Sequence, residues 1–418
     1  MTDESLDPLD EEAPPQLPWL SLRDGLPGVI ESDQALGAYA ELLAAGTGPV
    51  AIDAERASGY RYSQRAYLVQ LRRDGAGTAL IDPTAVSSMA PISHALDGTE
   101  WILHAATQDL ACLAEIDLHP TALFDTELAG RLLGKPRVGL ATLVEEVLGQ
   151  RLRKEHSAAD WSTRPLPDSW LEYAALDVEV LIELRAALIE ELAVADKTEW
   201  ARQEFESLLG FTPAVRVEPW RRTSGAHRVH GRRALAAVRA MWEARDQIAR
   251  DKDVAPGRLL PDAAIVVAAG AMPRERRELL GLKGFHGRGA GRYAREWLQA
   301  LEIAREMPEA QLPGRPPRGD GPPQARLWAD RDPVAARRLS AARTSVQALA
   351  EALHVPVENL LTPDTMRRLL WAPPSARAPE ELEAAVGQQL RAMGAREWQI
   401  GLTTEPLCAA IREADEPD

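Results

Sequence analysis

The chain has 418 residues, 45% of them hydrophobic, and a net charge of −15. Such a composition excludes a disordered chain and leaves material for about two to four domains with real cores. The acidic balance excludes a protein that merely coats nucleic acid, although it leaves room for local basic surfaces.

No apolar run reaches the length of a membrane span; the best stretch is Ala263–Met272. Two cysteines, Cys112 and Cys408, suit neither a disulfide framework nor a zinc site. The N-terminus lacks a basic segment followed by an apolar core, so the expected compartment is a reducing cytoplasm.

The first twelve residues carry six acids and no base. Together with the Pro/Gly-punctuated stretch to residue 27 they read as a disordered tail. Ser32 and Asp33 cap a predicted helix, Gln34–Ala45. Pro49–Glu55 follows as a strand, Arg65–Arg73 as a second, and Thr78–Asp82 as a third closed by Pro83. Beyond them come a helix Ile92–Leu96, a strand Glu100–His104, and helices Asp109–Ile116, Asp125–Leu133, Leu140–Leu148 and Ser169–Leu192. A three-stranded meander followed by alternating helices and strands predicts an α/β fold, a mixed sheet flanked by helices.

From about residue 196 the pattern is all helical. Val229–Ala249, Asp262–Ala271, Pro273–Leu280 and Gly289–Arg305 form one set, with Lys252–Leu260 as a loop. Pro308–Pro323, with six prolines, reads as a linker. Pro333–Ala352, Val357–Leu360, Pro363–Trp371 and Pro379–Met393 repeat the order, and Val254-Ala255-Pro256 parallels Val355-Pro356. This predicts an internal duplication of a small helical bundle. Residues 406–418 read as an acidic tail.

The chemistry centres on acids. Asp53 and Glu55 stand two apart on the predicted first strand, so they share one face while Val50, Ile52 and Ala54 take the other. Adjacent carboxylates repel unless a cation lies between them, and hard oxygen ligands suit a divalent ion. A solvated strand end has the same pattern. Asp109 opens a predicted helix, where the helix dipole alone favours an acid. Tyr173 and Asp177 share one helix face, as many surface neighbours do. Ala174 and Ala175 between them are small enough to let that helix approach a sheet closely.

Three motifs then stand in order: Ile52-Asp53-Ala54-Glu55, Leu103-His104-Ala105-Ala106-Thr107-Gln108-Asp109-Leu110, and Tyr173-Ala174-Ala175-Leu176-Asp177. With Tyr67-Leu68-Val69-Gln70-Leu71 and Asp160-Trp161-Ser162-Thr163-Arg164-Pro165-Leu166 they resemble the ribonuclease D family of 3′→5′ exonucleases, the Tyr-containing branch of the Asp-Glu-Asp-Asp nucleases. Val229–Arg305 resembles the HRDC module (helicase and RNase D C-terminal), most recognisably at Pro256–Asp262, and residues 330–405 look like a divergent second copy.

The resemblance implies a ribonuclease H-like exonuclease domain over 28–205, a linker over 206–228, an HRDC domain over 229–306 and a Pro/Gly-rich linker over 307–329. It implies hydrolysis with two divalent ions, Mg²⁺ or Mn²⁺, roughly 3.5–4 Å apart. Asp53 would bridge both, Glu55 and Asp177 would hold the ion that binds the attacking water, and Asp109 would help hold the other. Tyr173 would hydrogen-bond that water; with an ordinary pKa near 10 it is an orienter more than a base. The implied substrates are single-stranded 3′ ends of RNA, such as tRNA precursors and other small RNAs, shortened to 5′-nucleotides by a monomer.

Residues 230–305 hold 15 Lys/Arg against 9 Asp/Glu, a net of +6, whereas 331–405 hold nine of each. The first set is therefore the expected RNA surface, with Arg258, Lys283, Arg288 and Arg292 as contacts. The neutral second set could instead dock against the catalytic domain. Nearer the acids, His104, Gln108, Trp161 and Arg164 are further candidates for RNA contact, His104 read first as structural. Gly287–Gly291 lacks the strand and the Gly-Lys-Ser/Thr ending of a phosphate loop. Two other readings stay open: a DNA exonuclease of the same superfamily, and a catalytically inactive nucleic-acid-binding module. The presence of all four acids and the tyrosine weighs against the second.

Overall fold

The computed structural model describes residues 17–153, 158–314 and 321–415, the side chain of Arg288 excepted. The first sixteen residues of the expected N-terminal tail lie outside them. From residue 17 the chain is placed: Leu20 N–H donates to the Arg151 carbonyl, and the Arg151 guanidinium stacks 4.1 Å from the Trp19 ring centre.

Six strands form one mixed sheet: β1 (Val29–Ile30), β2 (Thr47–Arg56), β3 (Ala66–Asp74), β4 (Gly77–Ile81), β5 (Glu100–Leu103) and β6 (Ala122–Asp125). Their order is β1-β4-β3-β2-β5-β6. The β2–β3–β4 meander is antiparallel, and β1, β5 and β6 join it in parallel. The expected α/β fold class is borne out. Two strands escaped the sequence reading. β1 has only two residues, and β6 is four residues whose pairing with β5 decides its state.

Both sheet faces are covered. The helix Asp33–Ala45, capped by Ser32 Oγ accepting from Ala35 N–H, buries Leu36 and Leu43 in one core with Ile52, Val69 and Leu71. On the other face the helix Asp168–Glu179 runs across β2, β3 and β4. Its Ala174 and Ala175 are fully buried against Leu68, Leu80 and Trp161. Their small side chains permit that close approach.

The predicted helix Ser169–Leu192 is two helices, Asp168–Glu179 and Leu181–Val194. The break has a visible cause. The Arg23 guanidinium donates to the Glu179 carbonyl, and the buried Glu179 carboxylate pairs with Arg23 and Arg72. A carbonyl captured by a side chain is diverted from the helical ladder. The predicted helix Asp109–Ile116 is shorter, Leu110–Ala114, and is preceded by a 3₁₀ turn at Ala106–Gln108.

The first helical set comprises Arg232–Lys252, Pro256–Leu259, Asp262–Ala271, Arg276–Gly281, Arg288–Arg292 and Ala294–Glu306, with its own core around Met241, Ile265, Trp297 and Leu301. The second comprises Pro333–Ala352, Val357–Leu360, Pro363–Trp371, Pro379–Ala392 and Glu397–Asp415. The last helix corrects the expected acidic tail from 406. Leu407, Cys408, Ala410 and Ile411 are buried on one side of it, and Arg338 and Arg377 pair with Asp415. The acids of this segment lie on a helix that also has an apolar face. Residues 416–418 lie outside the description.

The two sets share a corner geometry. Asp253 and His354 each end a long helix with positive φ (46° and 49°). In each, the next N–H reaches back to an alanine carbonyl at 3.0 Å, Val254 to Ala249 and Val355 to Ala350. Leu260 and Leu361 are then both extended after a one-turn helix.

Each corner docks on the exonuclease domain. Asp253 Oδ1 accepts from Tyr62 and Ser63 N–H at 3.1 and 2.9 Å, and Ala255 N–H donates to the Tyr60 carbonyl. At the other corner the buried Lys197 ammonium donates to the carbonyls of Leu132, Leu353 and His354. The second set shares its hydrophobic core with the sheet domain, and Trp200 stacks on Trp398.

Lys197→Met is expected to cost about 2–4 kcal/mol, because it strands buried acceptors of charge-assisted bonds. Urea unfolding followed by tryptophan fluorescence checks it; a midpoint within error of wild type contradicts the assignment.

Candidate active site

β2 places Asp53 and Glu55 on the face covered by the helix Asp168–Glu179, which brings Tyr173 and Asp177 over them. The turn after β5 brings His104, Gln108 and Asp109 to the same place. Together with Arg56, Leu140 and Leu181 these side chains line a cleft of about 250 Å³. Carboxylate oxygens of Asp53, Glu55 and Asp177 all lie within 4.8 Å of one another. Asp109 lines the same cleft outside that trio, 3.4 Å from the Arg56 guanidinium.

The turn carrying Asp109 is held from below. Ala105 has φ 59°, a left-handed conformation unusual for a residue with a side chain. The buried Asp125 carboxylate accepts from Ala105 and Ala106 N–H at 3.1 and 2.8 Å, and from Glu127 and Leu128 N–H of the next helix. Asp125 was legible as a helix start, but its reach back to Ala105 was not. Glu179 is a second missed residue. Its ion pairs with Arg23 and Arg72 fix the end of the helix that carries Tyr173 and Asp177. Arg56 is a third, and its only signal was adjacency to Glu55.

Burial raises the proton affinity of all four carboxyls, and neighbouring negative charge adds to it for Glu55, Asp109 and Asp177. Glu55 is pushed up to about 10. Arg56 is the sole Lys or Arg among the described residues lining the cleft. Four crowded acids facing one guanidinium are short of positive charge. An all-oxygen donor set short of positive charge fits a hard divalent cation.

The Tyr173 hydroxyl donates to Asp177, one turn on. Burial and the nearby carboxylates push its own pKa up, so it stays protonated. His104 is held by burial at a pKa of about 4 and is neutral. Thr126 Oγ1 donates to the Leu103 carbonyl, so it accepts from His104 Nδ1 at 2.9 Å. That tautomer, assigned from the hydrogen bonds, leaves Nε2 as an acceptor.

Three of the expected RNA contacts behave differently. Trp161 is wholly buried under the tyrosine helix, packed on Trp170 and Tyr173. Arg164 spends its donors inside the protein, on Asp82, Trp161 O, Thr163 O and Tyr67 O. Arg258 is an interdomain clasp: its Nε donates to Gly59 O, and its guanidinium lies 3.9 Å from the Tyr60 ring centre. Neighbours engage both guanidinium groups, which residue type alone does not reveal. The side chain of Arg288 lies outside the described residues. Gln108 is exposed at the cleft, and Lys283 and Arg292 are exposed on the first helical set.

Comparison with known proteins agrees with this geometry. Residues 27–193 match the family model described as 3′-5′ exonuclease, 234–301 the HRDC domain, and 321–411 the 3′ to 5′ exonuclease C-terminal domain. Ribonuclease D of Acidiphilium cryptum is 31% identical over 338 residues, 78% of this chain and 84% of the relative. Ribonuclease D of Escherichia coli K12 is 31% identical over 68% of this chain and 76% of its own length. The chain belongs to the ribonuclease D family.

As a member of that family it is a 3′→5′ exoribonuclease. Among solved structures, a protein from Bifidobacterium adolescentis matches with a TM-score of 0.85 at 37% identity, covering 94% of this chain and 99% of its own. Escherichia coli RNase D, described as an exoribonuclease involved in structured RNA processing, matches with a TM-score of 0.63 at 25% identity, covering 92% and 98%. The segment 330–405, expected as a divergent second HRDC copy, lies within the 321–411 match to the 3′ to 5′ exonuclease C-terminal domain. No helix among the described residues is long and apolar enough to cross a membrane.

Proposed function

We propose that this member of the ribonuclease D family hydrolyses the 3′-terminal phosphodiester of RNA with two divalent ions, Mg²⁺ or Mn²⁺, and releases 5′-nucleotides. The observation that carries this is the convergence of Asp53, Glu55 and Asp177 in a cleft short of positive charge, with Asp109 beside them. Asp53, Glu55 and Asp177 would hold one ion, and Asp53 with Asp109 the other. Bound there, the ions would activate water and stabilise the leaving 3′ oxygen.

The protein's own groups do the rest. The Tyr173 hydroxyl, already aimed at Asp177, orients the attacking water through a hydrogen bond. His104 Nε2 offers an acceptor to a ribose hydroxyl, and exposed Gln108 offers an amide at the cleft.

RNA beyond the last nucleotide would lie on the first helical set. There Arg274, Arg276, Arg295 and Arg305 line a cleft of about 480 Å³. Guanidinium groups gathered on one face bind backbone phosphates without reading sequence. Precursors of tRNA and other small RNAs with single-stranded 3′ ends are the proposed substrates, acted on in the cytoplasm by a monomer.

A 5′-labelled single-stranded RNA, run beside the matching DNA with Mg²⁺, Mn²⁺ or EDTA, tests the reading. A ladder shrinking from the 3′ end only with metal is expected, faster on RNA. Equal or faster degradation of DNA would replace the substrate. A salt-sensitive gel shift without a ladder would leave a binding module.

A further inference from the structure

We propose that Arg56 contacts the phosphodiester being cleaved, exchanging its partner Asp109 for a non-bridging phosphate oxygen. This rests on the nuclease reading of the cleft and adds a cationic residue to it.

Arg56 follows Glu55 at a register irregularity between β2 and β3, which turns the chain end out of the regular pleat. Its side chain lines the catalytic cleft and is 28% exposed. Its charge is the principal positive influence on Asp53, Glu55 and Asp109.

The pairing with Asp109 is loose. At 3.4 Å it is an ion pair, and among the described residues the guanidinium has no hydrogen bond that matches those of Arg164. Arg164, thirty per cent exposed, directs its donors at Asp82 and at three backbone carbonyls. The contrast separates a structural arginine from one with donors to spare. A guanidinium has five N–H donors in a planar fork that matches two oxygens of a phosphate.

The cleft's charge favours such a group. A phosphodiester entering among four carboxylates meets repulsion, and charge grows on its oxygens as attack proceeds. A cation competing for Asp109 would release Arg56 at the moment the phosphate arrives. Arg56 would then act in the same chain as a donor aimed at developing charge, with a value on the order of 10²–10³ in rate.

The test uses the full chain carrying Arg56→Ala and Arg56→Lys. First, Mn²⁺ binding without RNA is measured by calorimetry. Removing the competitor for Asp109 should leave affinity equal or several-fold tighter for Arg56→Ala. Second, adenosine 5′-monophosphate is titrated in Ca²⁺, and Arg56→Ala should weaken it about tenfold or more. Third, single-turnover hydrolysis of RNA should fall by about 10²–10³ in Arg56→Ala and be partly restored in Arg56→Lys.

Unchanged nucleotide affinity, or wild-type turnover in Arg56→Ala, overturns the proposal. Weakened Mn²⁺ binding with a lowered melting temperature would also overturn it, by making Arg56 a support of the carboxylates. If wild type degrades neither RNA nor DNA, the nuclease reading fails, and the nucleotide titration still decides whether Arg56 binds phosphate.

Discussion

Asp53→Asn and Asp177→Asn are each expected to reduce exonucleolytic turnover on the order of 10⁴-fold, the scale at which groups that act as one unit fail together. Both residues contribute to the trio of oxygens within 4.8 Å of one another. An amide keeps the shape but halves the oxygen donors and removes the charge that would hold a divalent ion. The fold should survive. Burial already disfavours the ionised form of both carboxyls, so replacing either with a neutral group relieves the interior.

Melting temperatures in EDTA should therefore match or exceed wild type. Adding Mn²⁺ should stabilise wild type by roughly 2–3 kcal/mol at a hundredfold excess over Kd, and the variants far less. Steady-state assays on labelled RNA, paired with thermal melts with and without Mn²⁺, read both effects. A variant that melts normally and retains metal-dependent hydrolysis at a tenth of wild type or more would remove the carboxylate trio from the mechanism.

Trp161→Ala is expected to cost about 3–5 kcal/mol, the range for truncating a large buried aromatic. The indole is fully buried, in edge contact with Trp170 at 5.5 Å and beside Tyr173 at 6.5 Å. It supports the helix that aims Tyr173 and Asp177 at the strand acids. Its loss should lower the melting temperature of the exonuclease domain by roughly 10 °C. Turnover should drop through misplacement of that helix. RNA affinity of the folded protein should not change, because the ring has no exposed face to offer a base. Differential scanning calorimetry and fluorescence anisotropy on the same preparation separate the two roles. Normal melting with weakened RNA binding would return Trp161 to the substrate surface.

Much of this protein was readable from its sequence. The meander β2–β3–β4 announced itself through alternation and glycine turns, both local properties. Helices Leu140–Leu148, Asp262–Ala271, Pro333–Ala352, Val357–Leu360 and Pro363–Trp371 fall where periodicity and flanking proline or glycine placed them. The pairing of Asp53 with Glu55 followed from the two-residue period of a strand, and that of Tyr173 with Asp177 from the helical turn.

What the sequence left undetermined depended on partners distant along the chain. β6 is a strand because β5 lies beside it. The long helix breaks after Glu179 because Arg23, 156 residues earlier, takes its carbonyl. The acid-rich C-terminus folds as a helix because the Pro333–Ala352 helix offers its apolar side a surface to bury.

The fate of the arginines was decided in the same way. Arg164 and Arg258 look as available in sequence as Arg56, yet the first is tied to Asp82 and backbone carbonyls and the second to Gly59 and Tyr60. A guanidinium's charge is a property of the residue. Whether its donors are free is a property of everything packed around it, and only the tertiary structure left Arg56 in the cleft with, among the described residues, a single loose ion pair.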